Sequence, residues 1–302
     1  MILFCDFNPN IVREYILDES KNNEIKFSKV YPSGHGINMA TFARKLGVEN
    51  EIFMLKGSLK GREIALNLSK LGIDISPINI KDDNIENILI IKNDSQSSYS
   101  TKEPRITMED RAEILNSFER TLFDKSIAVI PKLDLSGLDS ELYEKLVKIC
   151  YKNNTKIIVN TSDLKEIEKT NPYILSYDKN DIDGKRKINY TGEVIEFNKK
   201  FIKTGTKIVF ANSKRFTIIS TEDKNYRAYL DKKKLGVSEM LEKFNTNLSI
   251  SGLAIAIDRE YDFITSIKLA IASGTWENFI SHGEIDMSYI KKLMSSVVVE
   301  EI

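Results

Sequence analysis

Hydrophobic and polar positions along this chain switch repeatedly between two periods. Met1-Ile2-Leu3-Phe4 opens an apolar run over residues 1–7 that ends at Asn8-Pro9, and such a run bounded by turn residues predicts a buried strand. From 11 to 31 polar and apolar residues alternate, as in Lys26-Phe27-Ser28-Lys29-Val30-Tyr31, the period of a half-exposed sheet. Residues 36–46 change to helical spacing, with Ile37, Ala40, Ala43 and Leu46 on one face and Gly47 as the stop. Strand 51–55, helix 61–71 closed by Gly72, and strand 73–80 follow in the same manner. Residues 86–100 read as a hairpin arm, with Ile88-Leu89-Ile90-Ile91 going out, Asn93-Asp94-Ser95 turning and Ser97 to Ser100 returning.

The second half keeps the rhythm. The pattern predicts helix 108–121, strand 126–130, helix 138–151, strand 156–160 (Lys156-Ile157-Ile158-Val159-Asn160) and strand 173–175. Helix 193–203, strand 206–210, a hairpin pairing 215–220 with 226–230, and helices 249–258, 262–273 and 286–297 complete the chain. Near-continuous apolar strands alternating with helices imply a mostly parallel sheet between two helical layers, an α/β fold.

Composition narrows the partners. At 302 residues and 41% hydrophobic, one large core suffices, so 1–302 reads as a single α/β domain with a small sheet drawn from about 11–31 and 86–102. Lys+Arg and Asp+Glu both number 44, which leaves no basic field for nucleic acid or an anionic membrane. The runs Lys232-Lys233-Lys234 and Lys185-Arg186-Lys187 read as solvated surface. Cys5 and Cys150 lie far apart in apolar segments without metal spacing, as buried thiols of a reducing cytoplasm would. No window approaches a membrane span. His35 and His282, the two histidines, read as loop or surface positions, and Trp276 as the plug at the end of a buried helix.

The most informative stretch is Lys243-Phe244-Asn245-Thr246-Asn247-Leu248, a polar knot opening a helix of small apolar residues through Ser251, Gly252, Ala254 and Ala256. In place and flanks it resembles the Gly-Ala-Gly-Asp signature of the ribokinase (PfkB) family of carbohydrate kinases. The resemblance extends over nearly the whole chain and is closest to the kinases acting on fructose 1-phosphate and tagatose 6-phosphate. Asn8-Pro9 matches the pair that opens the sugar site, and Ser33-Gly34-His35-Gly36-Ile37-Asn38-Met39-Ala40 is similar to the Gly-Gly-Lys-Gly-x-Asn-x-Ala signature. Thr101-Lys102-Glu103-Pro104 resembles the Asn-Glu-Pro return of the lid hairpin, and Asn160-Thr161-Ser162 the Asp-Thr-Ser that ends a central strand. The resemblance implies a ribokinase-like three-layer α/β/α sandwich with a β-sheet lid, pairing of two copies through that lid, and, for an active enzyme, ATP and Mg²⁺.

Chemistry departs from the family where it matters. The family's glycine anion hole reads Phe244, Asn245 and Thr246, and its base reads Asn247, an amide that takes no proton near neutral pH. The base role is worth roughly 10²–10⁴ in rate, and one oxyanion donor about 10²–10³. The sugar-holding Asp is Val12, the phosphate-binding Lys is His35, and Lys102 precedes the retained Glu103 in the substrate pocket that the resemblance builds from Asn8, Gly34, Gly36 and Asn38. The magnesium motif becomes Ser176-Tyr177-Asp178-Lys179-Asn180-Asp181, in which Asp178 and Asp181 could attract a hydrated cation and Tyr177 could line the nucleotide cleft. The glycine hairpin over the nucleotide becomes Phe210-Ala211-Asn212-Ser213-Lys214-Arg215, leaving Ser176, Asp178 and Asn212 at the cleft. Three expectations follow: an impaired kinase homologue that binds a phosphosugar, a nucleotide or a partner; an active ATP-dependent phosphosugar kinase; or a structural dimer subunit.

Overall fold

Apolar side chains on both faces of Ile2–Asp6 (β1) put this strand in the middle of a sheet, since only helices on either side can cover it. The computed structural model describes residues 1–18, 24–92, 95–162, 164–167, 170–179, 191–235, 243–282 and 285–302. Next along the chain come Asn10–Leu17 (β2), Ile25–Ser33 (β3), Asn50–Lys56 (β4), Asp74–Asn79 (β5), Ile85–Lys92 (β6) and Ser95–Ser100 (β7). Ile127–Ile130 (β8), Lys156–Asn160 (β9), Ile174–Asp178 (β10), Ile208–Asn212 (β11), Thr217–Ser220 (β12), Asn225–Leu230 (β13) and Val297–Glu301 (β14) follow. The large sheet runs β14-β13-β12-β11-β10-β9-β8-β1-β4-β5 and is parallel from β11 to β5, with an antiparallel edge from β12 to β14.

The two faces of β1 feed two cores. Ile2 and Phe4 join the core beneath helices His35–Lys45, Thr246–Asp258 and Phe263–Thr275. Leu3 and Cys5 join the opposite core, with helices Met108–Thr121, Ser140–Lys152 and Thr191–Thr204. Three layers result, as the alternation implies. The period of two along a strand decides which core each residue enters.

A separate four-stranded sheet, ordered β3-β2-β6-β7, carries the alternating pattern expected of 11–31 and 86–100. Arg13 of β2 ties it to the body through Glu63 at 2.7 Å and to its own neighbour through Glu86. Ile25, Phe27, Val30 and Tyr99 are exposed on it.

Three expectations shift. Helix 286–297 stops at Ser295, and Val297–Glu301 becomes an edge strand on β13, because a β-branched Val run packs better on a pleated surface than in a helical turn. Helix 249–258 begins earlier, at Thr246, because the Asn245 side chain caps the Leu248 N–H. Strand 173–175 extends to Asp178, with Tyr177 fully buried in the face opposite the cleft. Lys232-Lys233-Lys234 opens a one-turn helix, while Asn93-Asp94, Lys185-Arg186-Lys187 and Asp181 lie outside the described residues. Among the described residues no helix is long and apolar enough to cross a membrane.

Candidate active site

Parallel strands leave their C-terminal ends side by side, and ligands of open α/β sheets bind there. At the end of β1 stands Asp6, about 2% exposed, a residue the motif reading passes over. Its Oδ1 accepts the Asn8 N–H at 3.0 Å and its Oδ2 the Ile37 N–H at 2.9 Å. The helix His35–Lys45 begins after Gly34, which has no side chain to cap it, so Asp6 does the capping from across the junction. That seating demands glycine. A Cβ on Gly34 (φ +150°) would lie 2.2 Å from Asp6 Oδ2, and one on Gly36 would lie 2.0 Å from the Cys5 carbonyl oxygen. Burial pushes the Asp6 carboxyl up to about 6, against the pull of the two N–H donors and of His35.

His35 is the first residue of that helix, and it reaches two other segments. Its Nδ1 lies 2.8 Å from Asn247 Nδ2 and its Nε2 lies 3.5 Å from Asp134 Oδ2. An amide nitrogen only donates, so in the neutral imidazole Nδ1 accepts and the ring proton sits on Nε2, toward the carboxylate. The hydrogen bond to Asp134 raises the His35 pKa and burial opposes it, with a net rise. For Asp134, burial raises the pKa, but the His35 hydrogen bond and charge, with a hydrogen bond from the Asn8 side chain, bring it below the ordinary value. Asn160 Nδ2 donates to Asn247 Oδ1 at 3.4 Å, completing a line from Asn160 through Asn247 and His35 to Asp134. Asn8 Oδ1 is shielded from solvent and has no donor. Asp134, like Asp6, escapes the motif reading. Asp6 ends β1 and Asp134 lies just past the end of the adjacent parallel strand β8, and that position was the available signal.

The loop carrying Phe244 is stapled in place. Asn245 N–H donates to the Gly274 carbonyl at 2.8 Å, Asn245 Nδ2 to Glu277 Oε1 at 2.6 Å, and Asn278 Nδ2 to the Lys243 carbonyl at 2.7 Å. Asn245 Oδ1 takes the Leu248 N–H, one of the free donors an anion would use. The Phe244 ring rests on Gly274, whose Cβ would stand 2.7 Å from Phe244 Cζ. With Lys214, Phe216, Leu230, Ile271 and Thr275 it encloses a cavity of about 10 Å³, room for roughly one water.

Two of the expected nucleotide residues, Ser176 and Asn212, bond each other. Asn212 Nδ2 donates to Ser176 Oγ at 2.9 Å and to the Tyr177 carbonyl at 3.2 Å, while Thr217 Oγ1 donates to Asn212 Oδ1 at 3.2 Å. Tyr177 does not line the cleft: its OH donates to Asn198 Oδ1 at 2.6 Å on the other side of the sheet, and its ring meets Phe197 edge-on. Asp178 ends β10, half-buried. Among the described residues no three His, Cys, Asp or Glu are gathered to hold a metal.

The remaining pocket residues divide. Asn8, Gly34, His35, Gly36 and Asn247 share the cluster just described. Lys102 and Glu103 line a cavity of about 560 Å³ with Asp82, Arg105 and Ser136, and Ser136 Oγ donates to Glu103 at 3.3 Å. Asn38 faces a different cavity of about 410 Å³, walled by Lys29, Tyr31, Lys45 and Trp276. Val12 is buried in β2, opposite Tyr31. His35 is partly exposed yet bonded into this cluster, whereas the side chain of His282 lies outside the described residues.

Residues 8–229 match the family model described as pfkB family carbohydrate kinase. The chain is 20% identical to the 1-phosphofructokinase of Bacillus subtilis (strain 168), over the full length of both proteins. Its fold is that of a Staphylococcus aureus protein provisionally named a phosphofructokinase (TM-score 0.83, 18% identity, 100% of this chain and 99% of that one). It is also that of the tetrameric inhibited form of phosphofructokinase-2 from Escherichia coli (TM-score 0.80, 13% identity, 97% of this chain and 98% of that one).

Proposed function

The chain belongs to the pfkB family of carbohydrate kinases, and we propose that within this family it is a catalytically impaired homologue that acts by binding a sugar-type ligand or a protein partner. The observation that supports the reading is Phe244 seated on Gly274, with about 10 Å³ between it and Lys214 and Phe216, the segment that the family resemblance sets over the nucleotide. Ligand pockets run to several hundred Å³. Asn247 adds to it, because an amide already engaged by His35 and Asn160 offers an alcohol no base, a loss of roughly 10²–10⁴ in rate. The exposed Ile25, Phe27, Val30 and Tyr99 of the small sheet support pairing of two copies through that face.

A coupled ADP-release assay with fructose 1-phosphate and tagatose 6-phosphate tests the reading. The expected result is no release above the enzyme-free blank, together with no thermal stabilisation by ATP or ADP. Brisk turnover by the unmodified chain overturns it.

A further inference from the structure

The small sheet has almost no core of its own. β3 and β7 are exposed along most or all of their length, and on β2 and β6 only Ile11, Val12 and Ile85, at the ends nearest the body, are buried. Its position therefore rests on how it is tied to the body. The sheet leaves the body through Pro9 and Asn84, and the buried Asn84 side chain holds both exits: its Nδ2 donates to the Pro9 carbonyl at 3.1 Å and the Leu55 carbonyl at 3.2 Å, and its Oδ1 accepts the Gly57 N–H at 2.7 Å. Farther out, three residues along β2 from Asn10 and so about 10 Å from this pivot, Arg13 grips Glu63 of helix Leu59–Lys70 with both terminal nitrogens, Nη2 at 2.7 Å and Nη1 at 3.3 Å. Arg13 Nε donates to Glu86 on β6, and Glu86 in turn faces Lys60 of the same helix at 3.8 Å. Sheet and helix thus each supply one cation and one carboxylate to a cross-brace. The four side chains are 19–33% exposed, so solvent screens them only in part, and the forked Arg–carboxylate contact is the strong form of an ion pair.

We propose that this quartet is a latch that pins the small sheet against helix Leu59–Lys70 with no ligand present, and that releasing it, by screening or by removing Glu63, frees the sheet to swing and fray about Pro9 and Asn84. The rim of the cleft beside Asn8 is thereby preset before anything binds. The inference is independent of whether the chain transfers phosphate. Hydrogen–deuterium exchange with mass spectrometry on the purified full chain and on Glu63→Ala is the test, because exchange reports opening segment by segment. Alanine, the best helix former, keeps the helix and removes only the body's end of the forked contact. Amides of β2, β3, β6 and β7 are expected to exchange about tenfold faster or more in the variant, the factor that loss of one charge-assisted contact sets, while those of β1 and β4 keep the parent's rates. In the unmodified chain, raising the ionic strength from about 0.1 M to about 1 M shortens the Debye length from about 10 Å to about 3 Å. That change is expected to speed exchange in the same four strands relative to β1, and to do so less in Glu63→Ala. Unchanged exchange of the small sheet in the variant, or a speed-up shared equally by β1 and β4, overturns the proposal. So does the lack of any salt response in the small sheet of the unmodified chain, a measurement that needs no variant to fold.

Discussion

Gly274→Ala interrogates the plug directly. A methyl at this position would lie 2.7 Å from Phe244 Cζ, 2.8 Å from Cε2 and 3.0 Å from Ser249 Cβ. The ring cannot back away cheaply, because the Asn245 N–H is bonded to the Gly274 carbonyl and Lys243 to Asn278. Overpacking of this kind costs about 1–3 kcal/mol. Replacing a helical glycine returns about 0.5–1 kcal/mol of backbone entropy, so the single variant is expected to lose about 1–2 kcal/mol. In a Phe244→Ala background the ring is gone and the entropy gain nearly balances the residual Ser249 contact, so the same substitution is expected to be close to neutral. Phe244→Ala alone, half-buried, is expected to cost roughly half of the 3–5 kcal/mol typical of a buried Phe. Urea denaturation of the four proteins at unchanged m completes the double-mutant cycle, with an expected coupling of about 1–2 kcal/mol. Additivity within about 0.5 kcal/mol would mean that Phe244 does not rest on Gly274, and the closed cleft would lose its support.

The His35–Asp134 pair makes stability depend on pH with a definite sign. His35 has a raised pKa in the folded chain, so its contribution is complete below its unfolded pKa and fades as pH rises through the folded one. The advantage of the unmodified chain over Asp134→Asn, measured by urea denaturation, is therefore expected to be larger near pH 5.5 than near pH 8.5, and the opposite order refutes the pairing. Lys125 Nζ lies 2.8 Å from Glu51 Oε2 with both side chains largely buried, so Lys125→Ala is expected to cost about 2–4 kcal/mol by stranding the carboxylate, whereas a melting point within a degree of the parent would show the pair to be superficial. Gly36→Ala would place a methyl 2.0 Å from the Cys5 carbonyl oxygen, where no rotamer change gives relief. A loss of about 3 kcal/mol or more, or failure to fold, is expected from calorimetry.

Much of this protein could be read from its residues in order. Alternating periods located the strands and helices, and the two-residue repeat of Ile2, Leu3, Phe4 and Cys5 already assigned neighbours to opposite cores. Residue chemistry alone said that Asn247 takes no proton and that Phe244 and Thr246 are poor substitutes for glycine. Boundaries were weaker where a cap or a sheet edge decided them, as at Asn245 and at Val297–Glu301.

Tertiary structure alone decided which of these residues meet. His35 and Asn247 are 212 positions apart and touch because the helices they begin pack side by side over β1. Asp134 meets the His35 imidazole while Asp6 caps the helix that His35 opens, because β1 and β8 are paired in parallel and end side by side. No local period encodes that adjacency, since periodicity reports which face of an element is buried and says nothing about which element covers it. The same holds for the Phe244 ring on Gly274 and for the inward turn of Tyr177, where packing on the far side of a sheet overrode proximity along the chain.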